Sequence, residues 1–155
     1  MANLKQIEEF LKRKKLPYRI IDLGSEIFTV ADVAAAGVDK DEIVKTLIIR
    51  TNDAFIALAL RGNDRVDFKK IRRMFDDKSE LATAHEVLKA TGVPVGAVCP
   101  ILLDIPLFID RAVMNLTHVN MGSGDLKHGL EMELGDLLKA IREYQVADFA
   151  SAFDK

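Results

Sequence analysis

Apolar and polar positions alternate along the chain in short blocks. The strongest is Glu42 to Leu60, EIVKTLIIRTNDAFIALAL, where two apolar runs, Ile43–Arg50 and Ala54–Leu60, flank the polar break Thr51-Asn52-Asp53. That pattern predicts a β-hairpin with a three-residue loop. Both runs are nearly continuous in apolar residues, so both faces of the hairpin should be buried. Upstream, Leu4, Ile7, Phe10 and Leu11 follow helical spacing, with Asn3 and Gln6 as a capping pair and Pro17 as the stop. Tyr18–Leu23 reads as a strand, and Thr29 caps a narrow, alanine-rich helix that ends at Gly37. Beyond the hairpin, Asp67 caps a helix to about Phe75, with Phe68, Ile71 and Phe75 on one face; Glu80–Thr83 reads as a strand, and Thr83 with Glu86 opens a helix to Gly92. Leu102–Ile109 and Leu116–Met121 predict strands. Leu130–Leu134 alternates apolar and acidic residues as a half-exposed strand, and Asp136–Arg142 starts the last helix. Val146, Phe149 and Phe153 are packing candidates in the tail. Six or seven strands and four or five helices without regular alternation predict an α+β fold with a curled, mixed sheet.

Composition narrows the class. A chain of 155 residues is about one domain, 1–155. Net charge is −2 with 30% charged residues, which excludes a generally basic nucleic-acid-coating protein but leaves room for local basic patches. The single cysteine, Cys99, excludes an intrachain disulfide framework and a Cys-rich metal site, and suits a reducing, cytoplasmic compartment. No run approaches the ~20 apolar residues of a membrane span, and MANLKQIEEFLKRKK lacks a signal-peptide core.

One residue of the hairpin breaks its pattern. Lys45 shares a strand face with Leu47 and Ile49. A lysine in a core strand either reaches water at the sheet's rim or lines a wet cleft, because burying its charge unpaired is costly. A second unusual stretch is Thr91–Pro100, TGVPVGAVCP, stiff with prolines and opened by glycines. It reads either as a loop that holds backbone amides against a carbonyl or anion, or as a tight helix-to-strand connection. Two basic clusters, Lys12–Lys15 and Lys69, Lys70, Arg72 and Arg73, read either as phosphate contacts or as solvated helix faces.

The familiar catalytic signatures are missing. There is no phosphate-loop or dinucleotide fingerprint and no nucleophile elbow; His85, His118 and His128 lack metal-ligand spacing. Cys99, among apolar neighbours, reads as a small buried hydrophobe rather than a thiol nucleophile. Lys45, the Gly/Pro loop and Gly122-Ser123-Gly124 could converge on one pocket without a strong protein nucleophile.

In order and spacing, three motifs resemble the YbaK/prolyl-tRNA synthetase-associated editing domains. They are Ile43-Val44-Lys45-Thr46-Leu47, Gly96-Ala97-Val98-Cys99-Pro100, and Gly122-Ser123-Gly124 followed by His128–Leu134 and the helix with Leu137-Leu138. The resemblance implies a mixed, barrel-like sheet surrounded by helices. It also implies a free-standing deacylase that hydrolyses the ester of mischarged aminoacyl-tRNA without a cofactor. On that reading Lys45 engages the 3′-terminal nucleotide and Gly96 contacts the aminoacyl carbonyl. Thr46, Ala97, Val98 and Pro100 line the pocket, and Gly122, Ser123 and Gly124 shape its opposite wall. Thr46 stands where some relatives carry an asparagine, and His118 and His128 match the late-loop histidine of those relatives only loosely. The acceptor end of aminoacyl-tRNA is the implied partner, with a synthetase as a second. The same fold could serve instead as a non-catalytic module that binds a tRNA end, a nucleotide or a synthetase.

Overall fold

The computed structural model describes residues 3–27 and 29–152. The hairpin at its centre is longer and tighter than its sequence predicts. β2 (Val44–Thr51) pairs antiparallel with β3 (Ala54–Arg61), and Thr51 lies opposite Ala54. The loop is therefore two residues, Asn52 and Asp53, both at positive φ (49° and 60°), as a type I′ turn requires. Both hairpin faces are buried. Val44, Ile48, Ala57 and Ala59 enter the larger core cluster, while Ile49, Ile56, Leu58 and Leu60 enter a second one with Ile71 and Phe149.

Around the hairpin a five-stranded mixed sheet runs in the order β5-β2-β3-β6-β9. β5 is Glu80–Leu81, β6 is Leu107–Asp110 and β9 is Gln145–Ala147; β6 and β9 pair in parallel. A three-stranded antiparallel sheet, β1-β8-β7, stands beside it, built from β1 (Arg19–Asp22), β7 (His118–Gly122) and β8 (His128–Glu133). A short pair joins β4 (Asp64–Val66) to β10 (Ala150–Ala152). The sheets meet at one parallel bridge, Ile43 to Asn120. The mixed α+β class is thus as expected, but the sheet does not close into a barrel. Past the bridge β2 and β7 are no longer paired, and β5 and β9 remain as edges.

Among the described residues five α-helices surround these sheets: α1 (Leu4–Lys14), α2 (Val30–Ala35), α3 (Phe68–Phe75), α4 (Ala84–Thr91) and α5 (Leu134–Ala140). The capping boxes at Asn3/Gln6 and Thr83/Glu86 form as read, and Asp67 caps α3. α3 differs in one respect, since Phe68 is exposed while Ile71 is buried. The strand expected over Leu102–Ile109 begins only at Leu107, because Leu102 takes φ 61° and residues 101–106 turn. α5 starts at Leu134 rather than Asp136. β9 and β10 escape the sequence pattern. The buried carboxylate of Asp110 holds this tail, accepting from the Phe149 and Ala150 N–H groups at 3.0 Å each. Phe149 is fully buried there, Val146 is exposed, and Phe153 lies outside the described residues.

Candidate functional site

Where β2 and β7 part, a cavity of about 490 Å³ opens between the two larger sheets. Ile21 and Gly129 of the three-stranded sheet line it, with Asn120 and Gly122 of β7, β2 from Val44 to Ile48, α2, and Val95, Gly96 and Val98 of the Gly/Pro loop. Most of the wall is apolar, and the polar groups are few.

Lys45 is one of those few. It lines the cavity near the start of β2, on the strand face it shares with Leu47 and Ile49. Its Nζ donates to the carbonyls of Asp64 at 2.6 Å and Gly62 at 3.3 Å, in the β3–β4 turn. Desolvation lowers its pKa, and the nearby Asp64 carboxylate opposes that shift. The lysine reaches the rim, as a cation in a core strand must, and half-buried carbonyls hold it there.

The loop from Val93 to Cys99 is fixed by its turn chemistry. Ala97 N–H donates to the Pro94 carbonyl at 3.0 Å, and Gly96 takes φ 92°, the third position of a type II turn. The Gly124 N–H donates to the Ala97 carbonyl at 2.7 Å. Gly122 lets β7 pass close beneath. A Cβ there would overlap the Val98 carbonyl oxygen and stand 3.0 Å from the Ala97 carbonyl atoms.

Lys45, Thr46, Gly96, Val98 and Gly122 are therefore brought together around one cavity. Four other candidates are not on its wall. Ala97 is fully buried in the core beneath the loop, and Pro100 lines a separate groove beside Phe10 and Arg13 of α1. Ser123 is fully buried; its Oγ donates to the His128 carbonyl at 2.7 Å and accepts from the Asp125 N–H at 3.3 Å. Gly124 lies in a shallow depression with Leu4 and Lys5. These residues shape the loops rather than touch the cavity.

Two cavity residues, Asp125 and Asn120, lie outside the sequence motifs, and a third, His128, opens the last of them. His128, which the sequence leaves open, sits on the wall with Asp125, and its Nδ1 lies 2.9 Å from Asp125 Oδ2. The Lys127 N–H and then His128 hold the Asp125 carboxyl below the usual carboxylate range. Asn120 is buried against the cavity, and only the bridge to Ile43 brings it there. His118 lies elsewhere, 3.6 Å from Glu42. Cys99 is buried and its thiol is pushed up to about 12 by desolvation, which excludes it as a nucleophile near neutral pH. Among the described residues no group of His, Cys, Asp and Glu is placed to hold a metal ion. No helix among them is long and apolar enough to cross a membrane. Of the basic clusters, α3 adds nothing to the cavity wall, and its Lys70 is taken by Asp148 and the Ala150 carbonyl, each at 2.9 Å.

The model of the aminoacyl-tRNA editing domain matches residues 25–140, a span holding every cavity residue except Ile21 and Leu23. This chain belongs to that family. Its editing-domain sequence is 35% identical over 92 residues to the proline–tRNA ligase of Caldicellulosiruptor bescii, covering 59% of this chain and 16% of the ligase. With the proline–tRNA ligase of Solidesulfovibrio magneticus it shares 34% over 112 residues, 69% of this chain and 19% of the ligase. The chain thus spans less than a fifth of either ligase. The fold also matches solved structures over nearly their whole length. A hypothetical protein aligns with TM-score 0.83 at 34% identity, covering 94% of this chain and 99% of that one. A candidate trans-editing enzyme for prolyl tRNA synthetase aligns with TM-score 0.82 at 22% identity, covering 98% and 99%, which speaks to the fold alone. The editing domain is homologous to domains carried within proline–tRNA ligases, and deacylation of aminoacyl-tRNA is the activity its family implies.

Proposed function

We propose that this editing domain hydrolyses the ester of mischarged aminoacyl-tRNA in trans, after the tRNA has left its synthetase, and that Lys45 and the Gly96–Val98 backbone form the reacting end of its cavity. The observation that carries the reading is their convergence, with Gly122, on one 490 Å³ chamber in a chain of the editing family.

An aminoacyl ester is already activated, so positioned water and stabilised oxyanion charge suffice without a covalent intermediate. Lys45 holds the terminal nucleotide. The long 3.3 Å contact to Gly62 is the one a phosphate or ribose oxygen would displace, while the 2.6 Å contact to Asp64 keeps the ammonium in place. The pinned loop offers the N–H groups of Gly96 and Val98 to the carbonyl oxygen at no reorganisation cost, the Ala97 N–H being taken by Pro94. With Nδ1 turned to Asp125, His128 has Nε2 to orient the attacking water. The acceptor stem lies outside the cavity, with exposed cations such as Lys5 and Lys127 beside its rim.

The test is deacylation of a panel of mischarged tRNAs by the wild type and by Lys45→Ala. At least one charged tRNA is hydrolysed faster than in buffer, and Lys45→Ala slows it by about 100-fold. Binding without turnover, or an unchanged rate in Lys45→Ala, defeats the assignment.

A further inference from the structure

The edge of β2 that faces the cavity carries hydrogen-bonding groups that the fold does not use. The Gly62 N–H donates to the Ile43 carbonyl at 2.8 Å, which sets the ladder's alternation. Ile43, Lys45 and Leu47 bond across to β3, while Val44, Thr46 and Ile48 turn their N–H and C=O groups to the other edge. That edge is closed at both ends. β5 pairs from Ile49 onward and the Ala82 N–H takes the Ile48 carbonyl at 2.9 Å, while the bridge to Asn120 occupies the other end. Between them Thr46 has no strand partner among the described residues for its N–H or its C=O. Its Oγ1 is also buried with no hydrogen-bond partner among them.

Asn120 stands on β7 at the bridge to Ile43. It is 6% exposed, lines the cavity, and shares a strand face with Gly122, against which the Gly/Pro loop is pinned. No side-chain hydrogen bond ties its amide to a described residue. Two strands thus carry buried polar groups on the wall of one largely apolar chamber. Buried polar groups in folded proteins are nearly always paired, so this pair implies a partner that arrives with the ligand.

We infer that Thr46 and Asn120 form a slot for a neutral hydroxyl of the substrate, which both donates and accepts as the slot does. The cavity argues against a cationic group there. Lys45 lines the same cavity, and the wall carboxylate of Asp125 is engaged by His128 and the Lys127 N–H. Two hydroxyls fit this description: the ribose hydroxyl beside the ester on the terminal nucleotide, and a side-chain hydroxyl of the amino acid. The slot deepens the deacylase reading and rests on it for the identity of the substrate.

The experiment compares the wild type, Asn120→Leu and Asn120→Ser on four substrates: alanyl- and seryl-tRNA, each ending in adenosine or 2′-deoxyadenosine. If the slot holds the ribose hydroxyl, the wild type loses about 10- to 100-fold in kcat/KM on the deoxy substrates and Asn120→Leu adds no further loss. If it holds the side-chain hydroxyl, the seryl over alanyl preference, about 10-fold or more, collapses in Asn120→Leu. Asn120→Ser, which keeps a donor and an acceptor, recovers part of either effect and shows that the loss is not one of folding. Preferences unchanged within twofold in both variants overturn the slot. If no tRNA is deacylated, the same four combinations are titrated as aminoacyl-amide adenosines with a stable amide in place of the ester. Discrimination by the wild type that Asn120→Leu abolishes upholds the slot while the hydrolase reading falls; binding blind to both hydroxyls, or no binding, overturns it.

Discussion

The two ends of β2 are built from the same kind of sequence and finish in opposite states. At the Ile49–Thr51 end the strand is paired on both sides, with β3 and with β5. Its charged residue, Arg50, is satisfied by Glu80 and by Glu86, the latter at 2.7 Å. At the Val44–Ile48 end the strand has β3 on one side and a cavity on the other, and its charged residue leans on backbone carbonyls. The closed end commits its backbone edges and its charge to the fold, and the open end leaves one backbone edge unpaired among the described residues. A folded chain can keep a polar slot in an apolar chamber only if dense packing nearby supplies the stability, and the second core cluster, which Ile49 and Ile56 of the closed end enter, does so.

The sharpest way to break this division is to damage the packed side alone. Ile49 is fully buried in that cluster at the closed end, and Ile49→Ala should cost about 2–5 kcal/mol of stability, read from denaturant unfolding. The fraction still folded should hydrolyse its substrate with kcat/KM within a few-fold of the wild type. A large loss of kcat/KM in folded Ile49→Ala would show that the two ends are one unit.

How much of this was legible from the sequence follows the same line. Local signals held: the capping boxes at Asn3 and Thr83, the cap at Asp67, and the alternation in Leu130–Met132 are each written in residues three or four apart. Lys45 drew notice because a charge interrupts an apolar run, and the structure places it on the cavity wall. What failed is non-local. The split of β2 from β7 depends on a single bridge between residues 43 and 120, so neither the open sheet nor the part Asn120 plays in it shows in any window of sequence. β9 and β10 are three residues each and are held by Asp110, about forty residues upstream, so no periodicity could announce them. Pro100 and Ser123 sit inside the motifs yet off the cavity wall, because a motif marks a stretch of chain and not the direction in which each side chain points.

Gly122→Ala tests how tightly the open end is set. The new methyl would overlap the Val98 carbonyl oxygen, a backbone atom that cannot rotate away, so the Gly/Pro loop must lift. The expected cost is about 1–3 kcal/mol of stability, smaller than that of Ile49→Ala. Activity, however, should fall further than in Ile49→Ala, since the displaced loop carries the amides assigned to the carbonyl. An active Gly122→Ala enzyme would take the loop out of the mechanism.

The smallest expected effect is a pH dependence of the same sign at the two ends, set in different pH windows. Glu86 at the closed end is held below the usual carboxylate range, first by the Thr83 N–H and also by Arg50. Its contribution is present above the unfolded carboxylate value and is lost as pH falls through the lower, folded one. Lys45 at the open end is lowered by desolvation, so between its folded value and the unfolded value of 10.5 the unfolded chain binds the extra proton. Stability from this group therefore rises with pH across that window. Unfolding midpoints of the wild type relative to Glu86→Gln should accordingly drop on acidification. Those relative to Lys45→Met should climb as pH rises toward 10.5. A flat difference in the alkaline series would mean that solvent reaches the Lys45 ammonium freely, and that the open end withholds nothing from water.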